Sequence, residues 1–165
     1  MEFQKKLLKK IAQIKYFRVE ILAYCLMPTH FHFLIKQKKH NGISKFMADI
    51  VNSFTRYFNL RNERKGPLFL PRFKSVLVAT DNQLMHVSRY IHLNPYSSGL
   101  IKNINSLNDY QWSSFGEYLL HEQKLCNTKL VLSLFRGKEN SYKKFIEDNA
   151  DYQRSLEKLK YLKTL

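Results

Sequence analysis

Acidic side chains are scarce in this chain: 13 Asp and Glu stand against 28 Lys and Arg, a formal net charge of +15. Such an excess repels itself unless a polyanion neutralises it, which points first to nucleic acid, second to an anionic membrane surface, and otherwise to solubility alone. Cysteine is nearly absent. Cys25 and Cys126 have no other cysteine near them, so no Cys-x-x-Cys exists. That excludes a cysteine-built structural zinc site and leads us to expect a reduced, cytoplasmic protein. Long apolar runs are missing as well. No stretch reaches the roughly 18 apolar residues that a transmembrane helix needs. The N-terminal "MEFQKKLLKK" is basic without a continuous apolar segment or a small-residue cleavage site, so no signal peptide is expected. Internal repeats and low-complexity segments are also lacking. What is present is an apolar fraction of 44% and an aromatic fraction of 14% over 165 residues. That composition suits one packed domain, or one domain with a helical extension.

Periodicity divides the chain. In residues 2–14, Phe3, Leu7, Leu8, Ile11 and Ile14 share one helical face, with lysines elsewhere. Residues 17–26 and 30–36 read as two strands joined at "MPT", where Pro28 fixes φ. Ile43 to Phe58 repeat at helical spacing, predicting a long helix to about Asn62. Residues 68–79 read as a strand with Pro71 at a bulge or edge. Asp81 is the expected N-cap of a helix over 82–93 that Asn94-Pro95 ends. Two further helices are expected at 111–122 and 141–162, with Trp112 as a packing anchor. The class is therefore α+β.

Two short stretches carry chemistry. In "LMPTHFHFLIKQ", His30 and His32 stand at i and i+2 of a strand and project to one face, leaving Phe31 and Phe33 for the core. Two imidazoles at that spacing are half a metal site. The plain alternative is a histidine bonded to backbone beside an exposed one. In "SRYIHLNP", Tyr90 and Asn94 are i and i+4 on one helix face. A tyrosine hydroxyl can act as a nucleophile, and an amide oxygen can ligate a hard cation. Otherwise Tyr90 is a core or groove aromatic. Between 56 and 74, Arg56, Arg61, Arg64, Lys65, Arg72 and Lys74 oppose only Glu63. With Tyr57, Phe58, Phe69 and Phe73 interleaved, this is a phosphate-tracking patch with stacking faces, or a solvated basic surface over core aromatics.

In order and spacing, "AYCLMPTHFHFLI", "FLPRFKSVLV", "RYIHLNPYSSGLI" and "DYQWSSFGEYL" resemble the REP-associated tyrosine transposases. These are relatives of the single-tyrosine, IS200-like transposases within the His-hydrophobe-His endonucleases. The resemblance runs from about Phe17 to Leu120. It implies a ferredoxin-like sheet with packed helices, a catalytic domain over 1–100 and a helical C-terminal extension over 101–165. It also implies a bacterial, nucleoid-associated enzyme that cleaves and rejoins single-stranded DNA beside hairpins (REP-like palindromes) through a 5′-phosphotyrosine. By that resemblance Tyr90 is the nucleophile, and His30, His32 and Asn94 hold Mg²⁺ or Mn²⁺. The protein would act as a monomer or homodimer, away from membranes.

The chain departs from the family pattern at Thr29, where Asn is usual, and at its start. Met1 opens almost directly into the first helix, so the first family strand is expected to be missing. A second expectation follows, of an N-terminally shortened, catalytically inactive relative that only binds hairpin DNA. A two-His-one-carboxylate oxygenase ranks below both, because the matched third position holds Asn94.

Overall fold

A computed structural model describes residues 17–120, 125–136 and 138–162. The helix expected over 2–14 lies outside the described residues. The architecture is α+β: among the described residues, an antiparallel two-stranded sheet is followed by helices. Strand β1 is Val19–Leu26 and β2 is Phe31–Gln37. Helix α1 is Gly42–Arg61 and α2 is Asp81–Ser97, followed by a 3-10 turn over Ile104–Asp109. Helices α3 (Phe115–Leu120), α4 (Lys129–Ser133), α5 (Glu139–Glu147) and α6 (Ala150–Leu162) complete the order. Two compact units emerge, residues 17–20 with 36–77, and 21–35 with 78–162.

In the first unit, α1 starts where the backbone is tightly specified. Asn41 adopts a left-handed conformation with φ 55°. The Arg18 carbonyl accepts from the backbone N–H groups of Lys38 and Lys39 at 3.0 and 3.2 Å. Any Cβ at position 42 would collide with that same carbonyl, which is why glycine stands there. Gly42→Ala is expected to destabilise the protein by about 1–3 kcal/mol, the usual range for forcing extra volume into a packed site. A wild-type melting temperature for this variant would contradict the packing described.

In the second unit the core gathers Leu22, Ala23, Cys25 and Leu34 from the hairpin, Ile91, Leu93 and Tyr96 from α2, and apolar residues from α3, α4, α5 and the start of α6. The outer edge of β1 is covered by the 112–114 loop. Leu26 N–H donates to the Trp112 carbonyl at 2.8 Å and Ser114 N–H to the Tyr24 carbonyl at 3.0 Å. A strand edge paired this way offers few free backbone groups. At the centre lies His92, fully buried. Its Nδ1 pairs with the Tyr142 hydroxyl at 2.7 Å and its Nε2 with Ser114 Oγ at 2.8 Å. Ser114 Oγ also lies 3.2 Å from the Tyr24 carbonyl. A neutral imidazole satisfies the set: Tyr142 O–H donates to Nδ1, Nε2–H donates to Ser114 Oγ, and Ser114 O–H donates to the Tyr24 carbonyl.

Several expectations change. Residues 68–79 form no strand. A strand needs a neighbour for its N–H and C=O groups, and among the described residues none pairs with this segment. Leu70, Val76 and Leu77 are 86–89% exposed there. Pro95 does not end α2, which continues to Ser97. One missing N–H in the last turn loses one bond, and the run Ile91–Ser97 is wholly buried, so packing holds the turn. The N-cap is Thr80 rather than Asp81. Thr80 Oγ1 accepts from Gln83 N–H at 3.2 Å, and Gln83 Oε1 accepts from Thr80 N–H at 3.3 Å. The helix expected over 141–162 is two helices, interrupted at 148–149. Within 111–120 only Phe115–Leu120 is α-helical. Trp112 is 54% exposed, so it anchors nothing by burial, and its carbonyl rather than its ring is engaged.

Candidate active site

His30 precedes β2 by one residue, where its carbonyl accepts from Met27 N–H at 2.8 Å and closes the hairpin turn. Its Nδ1 lies 3.1 Å from Thr29 Oγ1. His32 sits inside β2, half-buried. The two imidazoles are neighbours, 4.9 Å between centroids, but meet edge to face at 85° rather than in parallel. The face they share continues to Leu34, which is buried in the core. Phe31 and Phe33 lie half-buried on the other face, 5.4 Å apart. The sequence pattern says which residues share a face; here the histidine face, not the phenylalanine face, turns to the core cluster.

Helix α2 supplies the other half. The Tyr90 ring packs edge to face on His32, 5.4 Å between centroids. Asn94, one turn on, is buried, and its Nδ2 donates weakly to the Tyr90 carbonyl at 3.5 Å. Burial pushes the His32 imidazole below its ordinary pKa, and the adjacent His30 pushes it the same way. Glu157 and the Asn94 side chain oppose them. His32 Nε2 is buried and has no hydrogen-bond partner. A buried nitrogen left so costs about 1–3 kcal/mol, and a ligated cation would relieve that cost. This is the observation that makes the residues fit a metal ion. Among the described residues no group of three or more His, Cys, Asp or Glu could hold one.

The residues expected to track phosphates lie in the other compact unit. Arg56, Arg61, Arg64, Lys65, Arg72 and Lys74 are all exposed. Two are held by neighbours: Arg61 donates to the Tyr57 hydroxyl at 2.7 Å, and Arg64 to Asn59 Oδ1 at 3.0 Å and the Pro67 carbonyl at 2.9 Å. The Phe54 ring lies 5.9–6.5 Å from those of Tyr57, Phe58 and Phe69, and Phe54, Tyr57 and Phe73 are about half exposed. Charge and open aromatic faces thus occur in one unit. Both cysteines are free and buried, and burial pushes each thiol up to about 12. Neither is a nucleophile at neutral pH.

Residues 1–94 match the family model described as "Transposase IS200 like". The chain belongs to the IS200-like transposase family. The matched span ends at Asn94 and so takes in His30, His32 and Tyr90 as well. No curated protein and no solved structure matches the chain. Membership of this family implies a DNA substrate and, in general, DNA strand cleavage and transfer as the class of activity. Among the described residues no helix is long and apolar enough to cross a membrane.

The residues that sequence reasoning missed come from beyond the matched span. On α6, Gln153 Nε2 donates to the Tyr90 carbonyl at 3.2 Å, and Glu157 bears on His32. Nothing in a linear pattern announces a contact across 63 positions.

Proposed function

We propose that this transposase cleaves and rejoins single-stranded DNA beside hairpins, with Tyr90 as nucleophile and His30, His32 and Asn94 as ligands of Mg²⁺ or Mn²⁺. The observation that carries the reading is the Tyr90 ring packed on His32, whose buried Nε2 has no hydrogen-bond partner, with Asn94 one turn away on the same helix. A divalent cation held there supplies Lewis-acid polarisation of a phosphate oxygen. The chain's own residues do the rest. Tyr90 Oη forms a bond to phosphorus while the bond from phosphorus to the 3′ oxygen breaks. The phenol proton ends on that 3′ oxygen, and the DNA end is held as a 5′-phosphotyrosine. Because one phosphate ester replaces another, a later 3′-OH can reverse the step without an external energy source. The exposed basic and aromatic side chains of the other unit would hold the strand through phosphates and stacked bases.

The test is denaturing electrophoresis of labelled single-stranded DNA drawn from hairpins flanking the gene. Wild type with Mn²⁺ or Mg²⁺ is expected to give a protein–DNA adduct that EDTA prevents. If no adduct forms while the DNA still binds, the chain is a silent hairpin binder instead. Affinity should also fall steeply with salt, because each neutralised phosphate releases counterions. Arg72→Ala or Lys74→Ala should each flatten the log–log slope by up to about 0.7, the single-strand value per contact. A flat salt response in wild type would exclude the basic-surface reading.

A further inference from the structure

Helix α6 passes back along α2. Asp151 Oδ1 accepts from the Tyr96 hydroxyl at 2.7 Å near the C-terminal end of α2, and the Arg154 guanidinium lies 4.4 Å over the Tyr96 ring. Two residues after Asp151, Gln153 reaches the Tyr90 carbonyl, further toward the start of α2. Helical side chains lean toward their own N-terminus, so the Tyr90 ring lies over the turn toward which α6 is heading. Glu157 follows Gln153 by four residues and shares its face. It is half-buried, in the same compact unit as His30, His32 and Asn94.

The ligand set has a chemical shortfall that this carboxylate answers. Two neutral imidazoles and an amide carry no charge, whereas sites for hard divalent cations ordinarily include carboxylate. We infer that Glu157 is a positioning residue of the active site, whose negative charge, delivered by the C-terminal helix, raises the affinity of His30, His32 and Asn94 for a divalent cation without ligating it. The inference rests on the proposed cation site. Its second support is placement: Glu157 stands one helical turn beyond Gln153, whose side chain reaches the Tyr90 carbonyl. The absence of any three-membered His/Cys/Asp/Glu group among the described residues keeps the carboxylate outside direct ligation. Outer carboxylates of this kind commonly change metal affinity by about 10–100-fold.

The experiment is titration of the full chain with Mn²⁺ alone, followed by calorimetry or by the loss of free-ion electron paramagnetic resonance signal. Glu157→Gln keeps the shape and removes the charge, and it should weaken Mn²⁺ binding by about tenfold or more. Glu157→Asp restores the charge and should recover most of that affinity. Glu147→Gln, on α5, removes a carboxylate from a different helix and should bind as wild type. If Glu157→Gln binds Mn²⁺ like wild type while His32→Ala does not bind, the role of Glu157 is overturned and the cation site stands. If wild type itself takes up no Mn²⁺, the cation site fails and this inference fails with it.

Discussion

Tyr90→Phe is expected to bind hairpin DNA like wild type and to form no covalent adduct. The substitution removes one oxygen and keeps the ring, so the edge-to-face contact with His32 survives. On the proposed function, DNA affinity would reside in the exposed basic residues of the other unit, which the change does not touch. What is lost is the oxygen that, on the proposed mechanism, bonds to phosphorus. Removing a covalent nucleophile lowers turnover by at least about a thousandfold and often far more. His30→Ala should also abolish the adduct while leaving most DNA affinity, because it removes a proposed cation ligand and not a proposed phosphate contact. The two variants separate nucleophile from cation, since only His30→Ala should alter Mn²⁺ uptake strongly. An adduct formed equally by wild type and Tyr90→Phe would move the nucleophile to another tyrosine. The matched position, the ring contact and the helix spacing would then all have pointed to the wrong residue.

Spacing made the pairs legible and left their surroundings dark. The i, i+2 rule puts His30 and His32 together on one strand face, and i, i+4 does the same for Tyr90 and Asn94 on α2. Neither rule says which strand face meets the core. Because "HFHFLI" offers apolar residues on both faces, the side facing the buried cluster could not be read from it. The long α1 was legible because an uninterrupted helical period needs only its own backbone. The supposed strand at 68–79 was not, because strand-like composition is a preference that only a hydrogen-bonding neighbour realises. Pro95 misled for a related reason. A local rule predicted a helix end, while burial of the whole Ile91–Ser97 turn decided otherwise. Gln153 and Glu157 lie far along the chain from Tyr90, and their approach follows from how α6 packs on α2. His92 was hidden between two residues with more conspicuous chemistry, in the same "YIHLNP".

His92 carries the largest expected effect on stability. His92→Ala would leave the Tyr142 hydroxyl without its imidazole partner, free Ser114 Oγ on one side, and open a cavity among Phe115, Tyr118 and Tyr142. Unpaired buried polar groups and lost packing together cost about 3–5 kcal/mol. That is a large share of the roughly 5–15 kcal/mol that holds a domain folded. The same burial predicts a pH response with a definite sign. Desolvation pushes the His92 imidazole down to about 3 in the folded protein. The unfolded chain takes up that proton near 6.5, so between about 6.5 and 3 the unfolded state binds more protons. Stability is therefore full above pH 6.5 and declines as the pH falls through that window. At pH 5 the loss from His92 is about 2 kcal/mol. His32, shifted in the same direction by burial, adds to it. Thermal unfolding at pH 7.5 and pH 5 should differ by roughly 4–8 °C for a protein of this size. His92→Gln keeps polar atoms at the site without a group that titrates, so its melting temperature should start lower and change less over the same interval. A wild type equally stable at both pH values would mean that His92 is not held neutral between Tyr142 and Ser114.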